Sequence, residues 1–336
     1  MVYKNLTQFC ETLLNNNDTA AMIRSFKNVK VLIFSSLLWM SWPIKAADLS
    51  NAVTLVNIPL MERPSDHRLY ADELLNLALT LSAEKFGPFK IVQHKYQTVV
   101  GRQLLELEKG EWLSVAVSMP LPAWLEKADV VHFPIMKGLA SYRMFFAHQA
   151  QQNKLADINS LTDLRSQVIG QGRGWSTAKI LEDNGFSVMY GSTYETLFPM
   201  LEADRFQLLM RGVYEIEAEH KVYRQTMPEL SIADNIAVYT YLPSYFFVSK
   251  KQPALTERLM FGLKKASDSG QFDKLFQRYF NRALSMMQTK QRKIFYLNNT
   301  NINAADFAED NPYLLDYIRK LEAQKPRLEL ARRITG

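Results

Sequence analysis

A single cysteine, Cys10, in 336 residues excludes a disulfide-built scaffold and a cysteine-rich zinc site. The five histidines (His67, His94, His132, His148, His220) show neither the H-E-x-x-H pattern nor close pairs, so no metal is expected. There is no G-x-S-x-G elbow, no internal repeat and no low-complexity tract. The apolar run Val31–Trp42 is twelve residues long. A bilayer-spanning helix needs roughly 20.

What is present describes a globular protein. Hydrophobic residues make up 47% and charged residues 22%, which excludes wholesale disorder, and the length suits two domains. The formal charge of +6 is unevenly spread. Arg24, Lys27 and Lys30 precede the run Val31–Trp42, Pro43 breaks it, and Ala46 and Ala47 follow. This is the three-part layout of a cleaved signal peptide over residues 22–46, with no nearby cysteine for a lipid anchor. Residues 1–21 are polar and read as an extension ahead of the true start at Met22. The chain from Ala47 onward has 35 basic and 32 acidic side chains, or +3. It has no thiol nucleophile and no basic–aromatic stripe, so no nucleic-acid role is expected.

Strand and helix patterns alternate along this mature chain. Ala52–Ile58 is β-branched; Tyr70, Leu74, Leu77, Ala78 and Leu81 recur at helical spacing until Gly87-Pro88. Further strands are expected at Ile91–Val92, Trp112–Ser118, Gln167–Gly170, Val188–Tyr190 and Phe206–Met210. Ser160-x-x-Asp163 and Ser192-x-x-Glu195 both resemble capping boxes, and Pro199 is expected to bend the helix after the second. The alternation predicts an α/β fold with largely parallel pairing. Residues 285–336 are polar and charged, with one helical segment near Pro312–Gln324, and read as either a packed appendage or a loose tail.

Five segments in order resemble the bacterial periplasmic solute-binding proteins of family 3, the polar amino-acid type. They are LLELEKGEWLSVAVS, VVHFPIMKG, INSLTDLRSQVIGQGRGWSTAKIL, YETLFPMLEADRFQLLMRG and YFFVSKKQPALTERLMFGLKKASDSGQFDKLFQRYF. The resemblance spans about residues 50–280 and implies a periplasmic binding protein type II fold: two α/β lobes joined by two crossover strands, with ligand in the cleft. The crossovers fall near Lys137–Tyr142 and Leu242–Phe246. Lobe 1 is then 47–141 and 244–284, lobe 2 is 142–243, and 285–336 is a C-terminal extension. The implied function is capture of a small polar or anionic solute in the periplasm by hinge closure, as a monomer without cofactor. The solute would pass to an ABC permease or be reported to a membrane sensor.

The resemblance also directs attention to particular residues. In GQGRGW-ST, Gly174 permits a tight turn, the helix N-terminus offers free N–H groups, Ser176 and Thr177 add hydroxyls, and Trp175 can wall the cleft. Arg211 ends a strand beside the cleft, where its planar fork suits a carboxylate. Ser118 ends a lobe 1 strand, while Glu62, Asp66 and Arg68 occupy the loop after the first strand. The family's usual acid after the Arg211 strand is replaced by Gly212, and its lobe 1 arginine falls near Lys127 or Trp124. Those departures favour a carboxylate or other anion over an ordinary α-amino acid. The rival readings are a dehydratase-like enzyme using Glu62 or Asp66 as general acid/base, and a signalling partner of a membrane receptor that exploits the tail.

Overall fold

The computed structural model describes residues 52–60, 65–97, 100–289 and 291–325. The expected signal peptide (22–46), the upstream stretch 1–21, Cys10 and Glu62 lie outside the described residues.

The chain opens with β1 (Thr54–Leu60), α1 (Asp66–Phe86), β2 (Phe89–Gln97), α2 (Val100–Lys109), β3 (Val115–Ser118), α3 (Pro122–Lys127) and β4 (Ala128–Val130). A second run holds β5 (Tyr142–His148), α4 (Gln152–Ala156), α5 (Leu161–Arg165), β6 (Val168–Gly172), α6 (Ser176–Asp183) and β7 (Ser187–Gly191). It continues through α7 (Leu197–Glu202), β8 (Leu208–Gly212), α8 (Val213–Tyr223), β9 (Leu230–Ile232) and β10 (Ile236–Tyr239). The chain then returns through β11 (Tyr245–Ser249), α9 (Pro253–Asp268) and α10 (Gln271–Thr289), and ends with β12 (Lys293–Tyr296) and α11 (Asp316–Gln324).

These elements form two α/β lobes joined by two crossovers. In the first, β11 lies between β3 and β4, and β1 pairs with β2 while Ser114 N–H donates to the Asn57 carbonyl at 2.8 Å. The second lobe has the strand order β12-β10-β5-β8-β6-β7, with β9 also on β5. Pairing is parallel for β1–β2, β6–β7 and β6–β8, as the alternation predicts. It is antiparallel wherever a crossover strand is involved: β11 against β3 and β4, and β5 against β8, β9 and β10. A strand that enters its sheet from the cleft side must run against strands that end there. The expectation of largely parallel pairing is corrected to that extent.

Local signals hold where side chains act alone. Ser160 Oγ accepts from Asp163 N–H at 3.1 Å and Asp163 Oδ2 accepts from Ser160 N–H at 2.7 Å, a complete capping box. At Ser192 no such box forms. Thr193 N–H bonds Thr196 Oγ1 at 3.2 Å, and the helix starts at Leu197. Pro199 therefore lies in a first turn, where its missing N–H costs nothing, and no bend is required.

The described part of the extension is a packed appendage. β12 pairs with β10 in parallel, and a 3₁₀ segment, Ala304–Tyr313, leads into α11. Both reach the crossovers: Leu297 N–H bonds the Tyr239 carbonyl at 2.9 Å and Leu315 N–H bonds the Lys137 carbonyl at 3.0 Å.

In the first lobe α1 and α9 approach until backbones touch. A Cβ at Gly262 would fall on the Ala78 carbonyl group. Beside this contact Arg258, only 1% exposed, donates to the Gly87 carbonyl at 2.7 Å, Thr54 Oγ1 at 2.9 Å and Ser82 Oγ at 3.1 Å. Gly262→Ala is expected to lower stability by about 1–3 kcal/mol, since overpacking forces the helices apart. Urea denaturation of the variant and wild type measures this, and equal midpoints would refute the close approach.

Candidate functional site

Strands that end on one side of a sheet place the following loops and helix starts together. Here they enclose a cavity of about 260 Å³ between the lobes. The first lobe supplies His67 and Arg68 from the first turn of α1, Val117–Met119 from the end of β3, and Ile135 and Met136 ahead of the crossover. Gly174 and Ser176, around the start of α6, Tyr214 in the first turn of α8, and Ser244 on the return crossover complete it. Gly174 adopts φ +77°, a left-handed conformation suited to glycine, and open space surrounds it. A larger groove of about 710 Å³ lies between α8 and α10, where Arg278 and Arg282 pair with the surface carboxylates Glu73 and Glu217.

Arg68 is the cavity's cation. Among the described residues its guanidinium has no hydrogen-bond or ion-pair partner, and no carboxylate lines the cavity. Burial lowers its pKa against the opposing influence of Tyr214, Asp72 and Glu215. His67 packs edge-on to Tyr214, with ring centroids 5.2 Å apart. Desolvation, aided by Arg68 and Arg211 and opposed by Glu215, brings its pKa down to about 4. The imidazole is therefore neutral at pH 7.

Arg211 sits at the end of β8, as its sequence position suggests, but its guanidinium is not free for a ligand. Nε donates to Glu219 Oε2 at 2.8 Å and Nη2 to Glu215 Oε1 at 3.0 Å. Its plane lies 4.7 Å from the Trp175 ring centre and 5.2 Å from that of Tyr194. Burial would lower the Arg211 pKa, yet Glu215 and Glu219 outweigh it and raise it. Glu215 is held below the usual carboxylate range, because Arg211 and Arg143 overcome the upward push of burial. Its Oε2 also accepts Gly212 N–H at 3.0 Å and lies 3.9 Å from Arg143. The expectation of a ligand-binding fork at Arg211 is thus corrected. The i+4 and i+8 glutamates of the next helix already occupy it, and the spacing R-x₃-E-x₃-E is visible in the sequence.

The remaining expected residues divide. Arg68, Ser118, Gly174 and Ser176 come together in the cavity, where Ser176 Oγ lies 3.6 Å from Met119 Sδ. Trp175 backs onto Arg211, and Thr177 is buried, donating to Gln171 Oε1 at 2.6 Å. Lys127 stands outside, paired with Glu108 at 2.9 Å, because α3 ends on the lobe's outer side beside α2. Asp66 is exposed and borders the larger groove. His67, Met119, Met136, Tyr214 and Ser244 were not singled out by the sequence; only the neighbours that folding brings identify them. Among the described residues no group of three His, Cys, Asp or Glu could hold a metal, and no helix is long and apolar enough to cross a membrane.

No protein-family model matches the chain, and no curated protein matches it. Solved structures do. One, from work on glutathione import via GshT and the cystine ABC importer TcyBC of Streptococcus mutans, has a TM-score of 0.50 at 13% identity. It is matched over 69% of this chain and 97% of its own. The fold is that of a type II periplasmic binding protein. An arginine-specific periplasmic binding protein of Salmonella typhimurium also matches, with TM-score 0.49 and 13% identity over 68% of this chain and 100% of its own. An ancestral arginine-binding protein bound to arginine reaches 18% identity and TM-score 0.47, over 69% and 99% of the two chains. At these identities the likeness concerns the fold of the chain.

The depressed His67 pKa has a consequence for stability. Below its unfolded value of 6.5 the unfolded chain takes up a proton that the native site refuses, so stability falls as pH drops from 6.5 through about 4. Urea midpoints at pH 7 and pH 5 are expected to differ more for wild type than for His67→Asn. An unchanged pH dependence in the variant would remove His67 from this role.

Proposed function

We propose that the protein captures a small anionic solute in the cavity between its two lobes, with Arg68 as the anchor. The observation that carries this reading is a partly desolvated guanidinium, without a partner among the described residues, facing a cavity with no carboxylate in its described lining. Around it, Ser118, Ser176 and Ser244 offer hydroxyls, and N–H groups at the start of α6 add donors of the right polarity. The division into lobes at 142 and near 244 and a periplasmic location belong to the same proposal. So does delivery to an ABC permease or report to a membrane sensor. Binding is favoured over dehydratase-like catalysis, because Asp66, one of the two candidate acids, stands exposed outside the cavity. A small-molecule complex needs about 8 kcal/mol for micromolar affinity, and a desolvated ion pair with hydroxyl contacts is of that order.

Thermal-shift screening of the mature chain against carboxylates and phosphate esters is expected to give a stabilising anion. Arg68→Ala is expected to weaken that anion by about 2–5 kcal/mol in calorimetry. Full retention of affinity would remove Arg68 from the site and with it the proposed anchor.

A further inference from the structure

Building on the reading just proposed, we infer that the cavity selects organic acids lacking an ammonium group, such as 2-oxo or simple carboxylic acids with an apolar body, over α-amino acids. The charges around the cavity carry this. An ammonium needs a carboxylate or a set of unengaged acceptors when it leaves water, and an unpaired buried charge is strongly unfavourable. Among the described residues the lining has no carboxylate, and its one formal charge is the positive Arg68.

Glu215 and Glu219 lie behind the wall and are already engaged. Glu215 meets Arg211, Arg143 and the Gly212 N–H; Glu219 is gripped by Arg211 through both oxygens. Arg143, Arg211, Glu215 and Glu219 are two cations and two anions, so the group presents no net negative charge to the cavity. His67 beside them is neutral. A second cation in the ligand would therefore meet Arg68 repulsion with no acid in the described lining to offset it. Val117, Met119, Leu121, Ile135 and Met136 form the apolar part of the wall, suited to a hydrocarbon body.

Isothermal titration of the mature chain with paired probes tests this, each α-amino acid set against the 2-oxo acid of the same side chain. The tightest 2-oxo acid is expected to bind at least about 30-fold more tightly than its amino partner, a factor equal to roughly 2 kcal/mol. Arg68→Gln is expected to weaken that 2-oxo acid by a similar factor. An amino acid binding as tightly as its partner, with the Arg68 dependence kept, overturns the selectivity but leaves anion capture standing. Acids that do not bind at all, or whose binding ignores Arg68→Gln, overturn both.

A separate set of contacts carries a second inference: the C-terminal appendage straps the two crossovers and holds the lobes at one angle. Buried Asp310 accepts hydrogen bonds from Tyr241 on the return crossover and Tyr245 at the start of β11. Phe307 stacks on Tyr245 at 5.8 Å and Tyr313 packs on Phe133 at 4.3 Å, both first-lobe partners. The same appendage adds β12 to the second-lobe sheet, and Asn301 Nδ2 donates to the Ser176 carbonyl at 3.3 Å. Rotation of one lobe against the other would break one of these sets.

Spin labels at Lys179→Cys and Lys264→Cys, on a Cys10→Ser background of the full chain, report the interlobe distance. A pair at Glu108→Cys and Lys264→Cys, both in the first lobe, gives the width of a rigid reference. The strap predicts one interlobe peak as narrow as the reference, broadened by Asp310→Ala. A broad or two-peaked distribution in the unaltered strap overturns it, whatever the fate of the Asp310 variant; no broadening in a folded Asp310→Ala overturns the part assigned to Asp310.

Discussion

The pairing of Arg211 with Glu215 and Glu219 is the constraint from which the site takes its character. It ties the end of β8 to the helix that follows, and Glu215 closes that joint by accepting the Gly212 N–H. The geometry fixes where α8 begins, and with it the Tyr214 ring that walls the cavity. Trp175 and Tyr194 cover the guanidinium, so the pair is desolvated and its partners are not available to a solute. Breaking such a pair leaves a buried charge exposed to a low-dielectric interior, which is why a satisfied network persists as a unit.

With Arg143, Arg211, Glu215 and Glu219 balanced among themselves, the formal charge in the described cavity lining comes from the first lobe. Arg68 stands on the first turn of α1, rigidly placed by a 21-residue helix packed against α9. The first lobe contributes the cation and the Ser118 hydroxyl, and the second contributes the Ser176 hydroxyl with helix-terminal N–H groups. This division follows from strand direction, since the chain ends of β1, β3, β6 and β8 all lead to the cleft while the crossover strands run the other way.

Much of the architecture was legible in the sequence because it depends on local patterns. Helical spacing at Tyr70–Leu81, the Ser160–Asp163 capping box, the glycine stops and the β-branched runs are short-range signals, and each appears as an element. Those signals were weaker where two local preferences competed. Ser192-x-x-Glu195 looks like a capping box, but Pro199 favours a first turn, and the helix starts at Leu197 instead. Strand direction at the crossovers was also beyond local pattern, because it depends on which side of a sheet the chain arrives from.

The sequence by itself determined the two-lobed α/β plan, the absence of cysteine chemistry beyond Cys10, and the segments that would border a cleft. Tertiary structure alone decided which charged side chains face that cleft. Arg211 and Arg68 are alike as residues, and both lie where the chain approaches the cleft. One meets two glutamates brought round by a helix and is neutralised; the other meets no partner among the described residues and lines the cavity. Charge pairing between distant segments is a property of three-dimensional proximity, and no single-position reading of the chain contains it.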